Sequence, residues 1–311
     1  MISSIFSQLF QTLLIVVLAP LLLGWVNQCR AWLQNKRGAG VLQPYRVLNK
    51  LFHKDAVLAD NASSLFRTAP YIQFACMVLV ASIVPMVATD LPFAAAADVI
   101  ALVGLFALAR LFAALAAMDV GTAFGSMGAR REMLVASLAE PALLMIFFTP
   151  ALIAHSTSLT TIVEALAHRE FVLYPSLAFA AVAFAMVALA ENARIPVDNP
   201  ATHLELTMIH EAMILEYSAR HLALIEWAGA IKLSNYSAIG IALFLPWGIA
   251  SAGDWNAVPL ALAVLLVKLL LGGAGLALLE TLSAKLRIFR APEFLGTAFL
   301  LAVLGMLMLE L

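Results

Sequence analysis

The stretch 191–220, ENARIPVDNPATHLELTMIHEAMILEYSAR, holds five carboxylates: Glu191, Asp198, Glu205, Glu211 and Glu216. His203 and His210 stand among them, His221 follows directly, and only Arg194 and Arg220 supply positive charge. Carboxylates crowded in a segment rich in Leu, Ile and Met raise one another's proton affinity, and desolvation pushes the same way, so protons exchange closer to neutral pH. The chemistry this suggests is storage or relay of protons. Metal chemistry fits less well. His210-Glu211 has no second His four residues on, so the zinc-protease spacing fails, and His203 and His210 lie two turns apart, poor for a shared ion. Pro196 and Pro200 break the backbone, after which 201–217 is expected to be helical. On such a helix Glu205 and Glu216 project in nearly one direction, with His203, Thr207 and His210 on a separate stripe.

More charges lie inside apolar runs. Arg110, Lys232 and Lys268 fall near the middle of three such runs, and Glu140, Glu226 and Glu280 nearer their ends. A cation facing hydrocarbon costs about 2.5–3.5 kcal/mol, so each should turn inward. Static ion pairs and a lateral proton path both satisfy that demand, and the residues alone leave both open. Glu140 directly precedes Pro141, where a locally bent helix leaves room for water.

These groups need a scaffold, and composition says which. Of 311 residues, 63% are hydrophobic and 12% charged, with a mean hydropathy of +0.98. That excludes a soluble globular enzyme and a disordered chain, and a formal net charge of −1 excludes a nucleic-acid binder. Two cysteines, Cys29 and Cys76, are too few for an iron–sulfur or Cys-rich zinc site. Apolar segments at 4–26, 70–89, 98–118, 134–154, 173–191, 221–249, 258–282 and 292–310 are each long enough to cross a bilayer. The first lacks a basic region before it and a cleavage site after it, so it is expected to be a retained span. The fold class expected is all-α, a polytopic membrane protein of about eight transmembrane helices, with residues 1–311 forming one integral membrane domain.

With the N-terminus outside, every Lys and Arg beyond the spans except Arg169 falls on the inside, which predicts cytoplasmic loops 27–69, 119–133, 191–220 and 283–291 and both termini outside. In the first of these loops, Tyr45–His53 sets Val47, Leu48, Leu51 and Phe52 beside Arg46, Lys50 and Lys54. That is an amphipathic surface helix, attracted to anionic lipid or presenting a platform to a cytoplasmic partner. Arg37, Gly38, Gly40, Arg46 and Lys50 are the candidate docking residues. No internal repeat is visible, which counts against a stand-alone secondary ion transporter.

Several motifs together carry a resemblance. Glu191-Asn-Ala-Arg194-Ile-Pro196-Val-Asp198 reads E-x-x-R-x-P-x-D; Arg131 and Glu140 stand nine residues apart. Gln34-Asn-Lys-Arg-Gly-Ala-Gly40, Gln43-Pro-Tyr-Arg46 and Glu216-Tyr217 occupy matching places. In order and over the whole chain these are similar to the membrane subunit of respiratory complex I that lies beside its redox arm, the subunit-1 or H-like family. The run from Asp198 to Ser218 resembles the branch found in hydrogenase-4 and formate hydrogenlyase-type [NiFe]-hydrogenases. It departs from the quinone-reducing pattern at Ala201 and His203, where acids are usual, and by about three extra residues before Glu216.

The resemblance implies an eight-helix bundle in a prokaryotic cytoplasmic (inner) membrane that anchors a soluble electron-transfer arm and couples it to proton or sodium translocation. Implied partners are hydrogenase large and small subunits, an iron–sulfur subunit, antiporter-like membrane subunits and the lipid bilayer. Iron–sulfur clusters and the nickel–iron centre would reside in partners, with no cofactor in this chain; quinone is the ligand left open. Relay or coupling residues expected on this basis are Glu140, Glu191, Asp198, Glu205, Glu216, Arg131, Arg194, Glu226, Lys232 and Lys268. The competing assignment is the quinone-site subunit of an NADH–quinone oxidoreductase.

Overall fold

The computed structural model describes residues 2–87, 89, 98–168, 174–198, 208–250 and 257–309. Eight long helices form the body: α1 (Ile2–Leu33), α3 (Ser64–Ile83), α4 (Val99–Asp119), α5 (Ala123–Ala154), α7 (Pro175–Glu191), α9 (Ala219–Phe244), α10 (Val258–Leu282) and α11 (Ala291–Leu307). Three short ones lie between them: α2 (Gln43–Phe52), α6 (Leu159–His168) and α8 (His210–Ile214). Among the described residues β pairing is confined to isolated bridge positions, as between Asp98 and Ser158. The protein is an all-α polytopic membrane protein. By length and composition α1, α3, α4, α5 and α10 each suffice to cross a bilayer, while α7 and α11 are apolar but 17 residues long.

Helix starts follow local chemistry. The side chains of Ser63, Asp98 and Thr122 accept hydrogen bonds from Leu65, Ile100 and Gly125 backbone N–H groups, satisfying donors no helix can satisfy itself. Pro44, Pro175, Pro259 and Pro292 open α2, α7, α10 and α11, where the missing N–H is harmless.

Two starts differ from expectation. α3 begins at Ser64, so Pro70 sits inside it. α5 begins at Ala123 rather than 134, because the Thr122 cap nucleates it early, and Arg130 and Arg131 stand on a helix instead of in a loop. At 32 residues α5 is about 48 Å long, well beyond a bilayer core of roughly 30 Å. Its Gly128 lies so close to the chain before α8 that a Cβ would come 2.8 Å from the Ile209 carbonyl oxygen.

The helices alternate in direction, and hydrogen bonds across the turns show which ends meet. Asp119 accepts from the Ser63 N–H at 2.9 Å, and Leu286 N–H reaches the Pro196 carbonyl at 2.8 Å; both lie at the polar end of the bundle. At the opposite end Val99 N–H bonds Thr157 and Ala250 N–H bonds Val87. Small residues allow close packing: α11 meets α7 at Gly305, where a Cβ would come 2.8 Å from the Ser176 oxygen. Cys29 and Cys76 are free and buried, consistent with a packing role.

The expected helix over 201–217 is corrected in its second half. Helix covers only His210–Ile214, and Ser218 is extended (φ −136°, ψ 163°). The chain is pinned there by stronger contacts. The Tyr217 ring stacks on Phe66 at 4.0 Å, its hydroxyl donates to the Phe66 carbonyl at 3.0 Å, and Ser218 Oγ donates to the Val57 carbonyl at 2.7 Å. Residues 201–207, and with them His203, Glu205 and Thr207, lie outside the described residues.

Candidate functional site

Arg110 is the hub. It lies at the middle of α4, 5% exposed, and its guanidinium is ion-paired with three carboxylates. Nη2 meets Glu191 at the end of α7, Nη1 meets Glu140 at 3.2 Å, and Nε lies 3.6 Å from Glu132, both on α5. Lys232 from α9 reaches the same Glu191 at 3.1 Å. Four helices are thus tied through one cluster of three carboxylates and two cations. With every group ionised the cluster carries one excess negative charge, which a single proton neutralises.

A second cluster sits nearer the polar end. Glu280 of α10, 3% exposed, takes Arg194 at 3.0 Å on one oxygen and Arg30 of α1 at 3.4 Å on the other. A third joins Asp198 to Lys285 at 3.1 Å, and Asp198 also accepts the His210 N–H at 3.2 Å. The segment 191–198 is therefore fastened to α4, α8, α9, α10 and the 283–290 loop by charge.

Two cavities connect these clusters. One of about 80 Å³ is lined by Arg110, Glu132, Glu191 and Lys232. The other, about 270 Å³, is lined by Arg30, Arg194, Asp198, Glu211 and Glu226. They share Asn192, Ala193 and His210 as a common wall. A water needs roughly 10–15 Å³ and two or more polar partners, so both cavities have the room and the polar lining to hold several beside the acidic groups.

The expected site residues divide accordingly. Glu140, Glu191, Asp198, Arg194 and Lys232 stand in these clusters, and Glu226 lines the larger cavity without an ion pair among the described residues. Glu140 pairs with Arg110, not with Arg131. Arg131 instead donates to the Met208 carbonyl at 2.8 Å, bracing α5 against the chain before α8. Glu216 is exposed, because its neighbour Tyr217 takes the inward position; burial holds that phenol above its ordinary value, and nearby Asp119 adds to the effect. Lys268 belongs to none of the clusters: its ammonium donates to the Leu245 and Trp247 carbonyls. Glu205 lies outside the described residues. Glu132 and Lys285 were not singled out from the sequence, and Arg110 and Glu280 were read only as charges that must turn inward, with no partners assigned. The available signal for Arg110 was a charge in α4 with no other charge until Asp119, which forces its partners to come from other helices.

The candidate docking residues gather on one side of α1. Arg37, Arg46 and Lys50 are exposed, while Leu48 is buried and Phe52 meets Trp227 edge-on at 6.3 Å. Tyr45 donates its hydroxyl to the Val17 carbonyl, so α2 is clamped to α1 and α9 with its basic side free. Gly40 has φ +93°, a conformation L side chains rarely adopt, and its N–H donates to Gln28 Oε1 at 3.1 Å. A Cβ on Gly38 would strike that same Gln28 side chain. Valine at position 40 is therefore expected to distort the loop through strain and valine at 38 through displacement of Gln28. If these residues dock a partner subunit, both should lower its recovery on pull-down, whereas Asp60→Val, on an exposed turn, should not. The adjacent Asn61 is held in place, its amide donating to the Val120 carbonyl.

Comparison with known proteins agrees with this architecture. Formate hydrogenlyase subunit 4 of Escherichia coli (strain K12) is 32% identical over 302 residues, covering 97% of this chain and 97% of that protein. Hydrogenase-4 component C of the same organism is 35% identical over 264 residues, covering 85% and 82%. A chain in the structure of the membrane-bound sulfane sulfur reductase, an archaeal respiratory membrane complex, matches with a TM-score of 0.83 at 20% identity, over 97% of this chain and 99% of that one, and shares its fold. A family profile described as NADH dehydrogenase matches residues 7–311, and the chain belongs to that family.

Proposed function

We propose that this chain is the membrane anchor and coupling subunit of a membrane-bound [NiFe]-hydrogenase complex of the formate hydrogenlyase or hydrogenase-4 kind. It would link a soluble electron-transfer arm to proton or sodium translocation. The observation that carries the coupling role is the Arg110 cluster: one excess carboxylate at the meeting point of four helices, joined through polar-lined cavities to the charged segment at the polar end. A change of charge or position at that end alters the field on every helix of the cluster. The relatives at 32% and 35% identity support the hydrogenase branch. On this reading the polar end faces the cytoplasm of a prokaryote. The catalytic metal and iron–sulfur clusters reside in the large, small and iron–sulfur subunits, and antiporter-like subunits flank this chain in the membrane.

Solubilising native membranes in mild detergent and capturing this chain tests the reading. Hydrogenase large and small subunits should co-purify, and their absence would remove it. Reversing Arg37, Arg46 and Lys50 to Glu should release the soluble subunits while this chain stays in the membrane, because one-signed surface charge steers and registers a partner. An intact, active complex after all three reversals would sink the docking assignment.

One observation favours a quinone site as a second reading. Beneath α2 a cavity of about 180 Å³, lined by Pro20, Leu23, Val47 and Leu48, ends at Glu226, which also lines the larger polar cavity. An apolar passage leading to a carboxylate suits a quinone headgroup. Quinone retained through purification and lost in Glu226→Leu would favour it.

A further inference from the structure

Lys268 stands ten residues after Val258 on α10, about 15 Å along a 25-residue helix and so near mid-depth. Its ammonium donates to the Leu245 carbonyl at 2.6 Å and to that of Trp247, where α9 ends. Two carbonyls at a helix end solvate the ammonium but bring no full negative charge to neutralise it. Among the described residues no carboxylate forms an ion pair with it.

The same lysine lines an apolar lateral groove of about 510 Å³ between α7, α9 and α10. Phe184 and Tyr236 form one wall; Lys268, Gly272, Gly275 and Leu279, spaced along one helical face, form the other. A Cβ on Gly272 or Gly275 would meet nothing within 4 Å, whereas one on Gly273 would come 2.9 Å from the Trp25 ring. Gly273 is therefore needed for packing on α1, and the other two open a shallow channel that this chain does not fill. Asn192 and Arg194 line both this groove and the larger polar cavity, and Tyr236 stacks on Phe106 of the inner cavity at 4.6 Å.

We propose that this groove seats a transmembrane helix of a neighbouring membrane subunit, which presents an Asp or Glu carboxylate to Lys268 at mid-depth. The proposal rests on the reading of this chain as one subunit of a membrane complex, and names the surface and chemistry of one contact. A lipid acyl chain matches the apolar walls but brings no anion to that depth, since its charged headgroup stays at the interface. Glycines facing the channel let a helix backbone approach closely. A helix seated there lies against Tyr236 and Asn192, the outer side of the carboxylate clusters.

A benzophenone-bearing amino acid at position 275, irradiated in membranes containing the whole complex, reads the occupant directly. The expected adduct joins this chain to a polytopic subunit, at a segment with an Asp or Glu inside its apolar span. Lys268→Glu should then lower recovery of that subunit in mild detergent roughly tenfold or more, in line with the cost of unpaired charge at depth. Lysine in place of the partner carboxylate should restore it. Gly272→Leu, whose Cβ meets no atom of this chain within 4 Å, should displace the same subunit without lowering the level of this chain in the membrane. Adducts only to lipid, or none, would overturn the proposal. So would an equal loss in Asp254→Asn, an acid of the segment between α9 and α10 that lies outside the described residues, because the counter-charge would then be internal. Co-purification of hydrogenase subunits with the unaltered chain is read separately, so a failure of the groove and a failure of the functional reading are distinct results.

Discussion

Arg110→Leu is expected to abolish accumulation of the assembled protein. The guanidinium is the shared partner of Glu132, Glu140 and Glu191, and Glu191 is itself 5% exposed. Removing one member of a buried ionic cluster leaves uncompensated charge and costs about 3–5 kcal/mol, a large part of the stability of most domains. Lys232 retains Glu191 but reaches neither Glu132 nor Glu140. Arg110→Lys should lie between, since an ammonium is a point charge that cannot fork to three carboxylates. Arg130→Leu, on the exposed side of α5, should be neutral. Thermal aggregation of the detergent-purified chain and its level in membranes measure all three. A combined Arg110→Leu, Glu191→Leu, Glu140→Gln variant tests the cause: if unpaired charge is what destabilises, the triple variant should recover part of the loss. Wild-type stability in Arg110→Leu alone would mean the cluster does not hold the helices together.

The helix count, the amphipathic character of α2 and the involvement of Glu140, Glu191 and Lys232 were legible in the sequence because each has a local signature. Apolar length marks a span, a basic side opposite Leu48 and Phe52 marks a surface helix, and a charge within an apolar run has to turn inward. Partners were much less legible. Arg131 and Glu140 sit nine residues apart on α5, and the family resemblance set them together as an Arg and Glu pair. The longer α5 instead carries Arg131 to the Met208 carbonyl and leaves Glu140 to Arg110, thirty positions earlier on another helix. Glu280 finds Arg30 across 250 positions. Such pairings are set by how helices pack, which composition and spacing do not encode. The placement of Glu216 failed for a different reason. A helix-based register makes it project with Glu205, but stacking of Tyr217 on Phe66 ends helical geometry before it and turns Glu216 outward.

Glu140→Gln is expected to separate hydrogen chemistry from ion translocation. Glu140 keeps about a third of its side chain exposed and, among the described residues, makes one ion pair, to Arg110, which retains Glu191 and Glu132 after the change. Glutamine preserves shape and still offers an oxygen to the guanidinium, so the stability cost should resemble that of a half-exposed pair, about 0–1 kcal/mol. What disappears is a titratable group at the edge of the Arg110 cluster, and with it the excess negative charge that lets the cluster take up a proton. Hydrogen evolution driven by an artificial electron donor should persist, since on the proposed function the metal centres lie in other subunits. Proton or sodium uptake into proteoliposomes should fall about tenfold or more, the scale of a lost proton-transfer group. Glu205→Gln, from the same charged segment, should behave alike if the path runs along it. A static role predicts the reverse pattern: Glu140→Gln would reduce assembly and hydrogen evolution together, with the ratio of ions moved to hydrogen formed unchanged. That ratio is therefore the deciding measurement, because loss of protein cancels from it while loss of coupling does not.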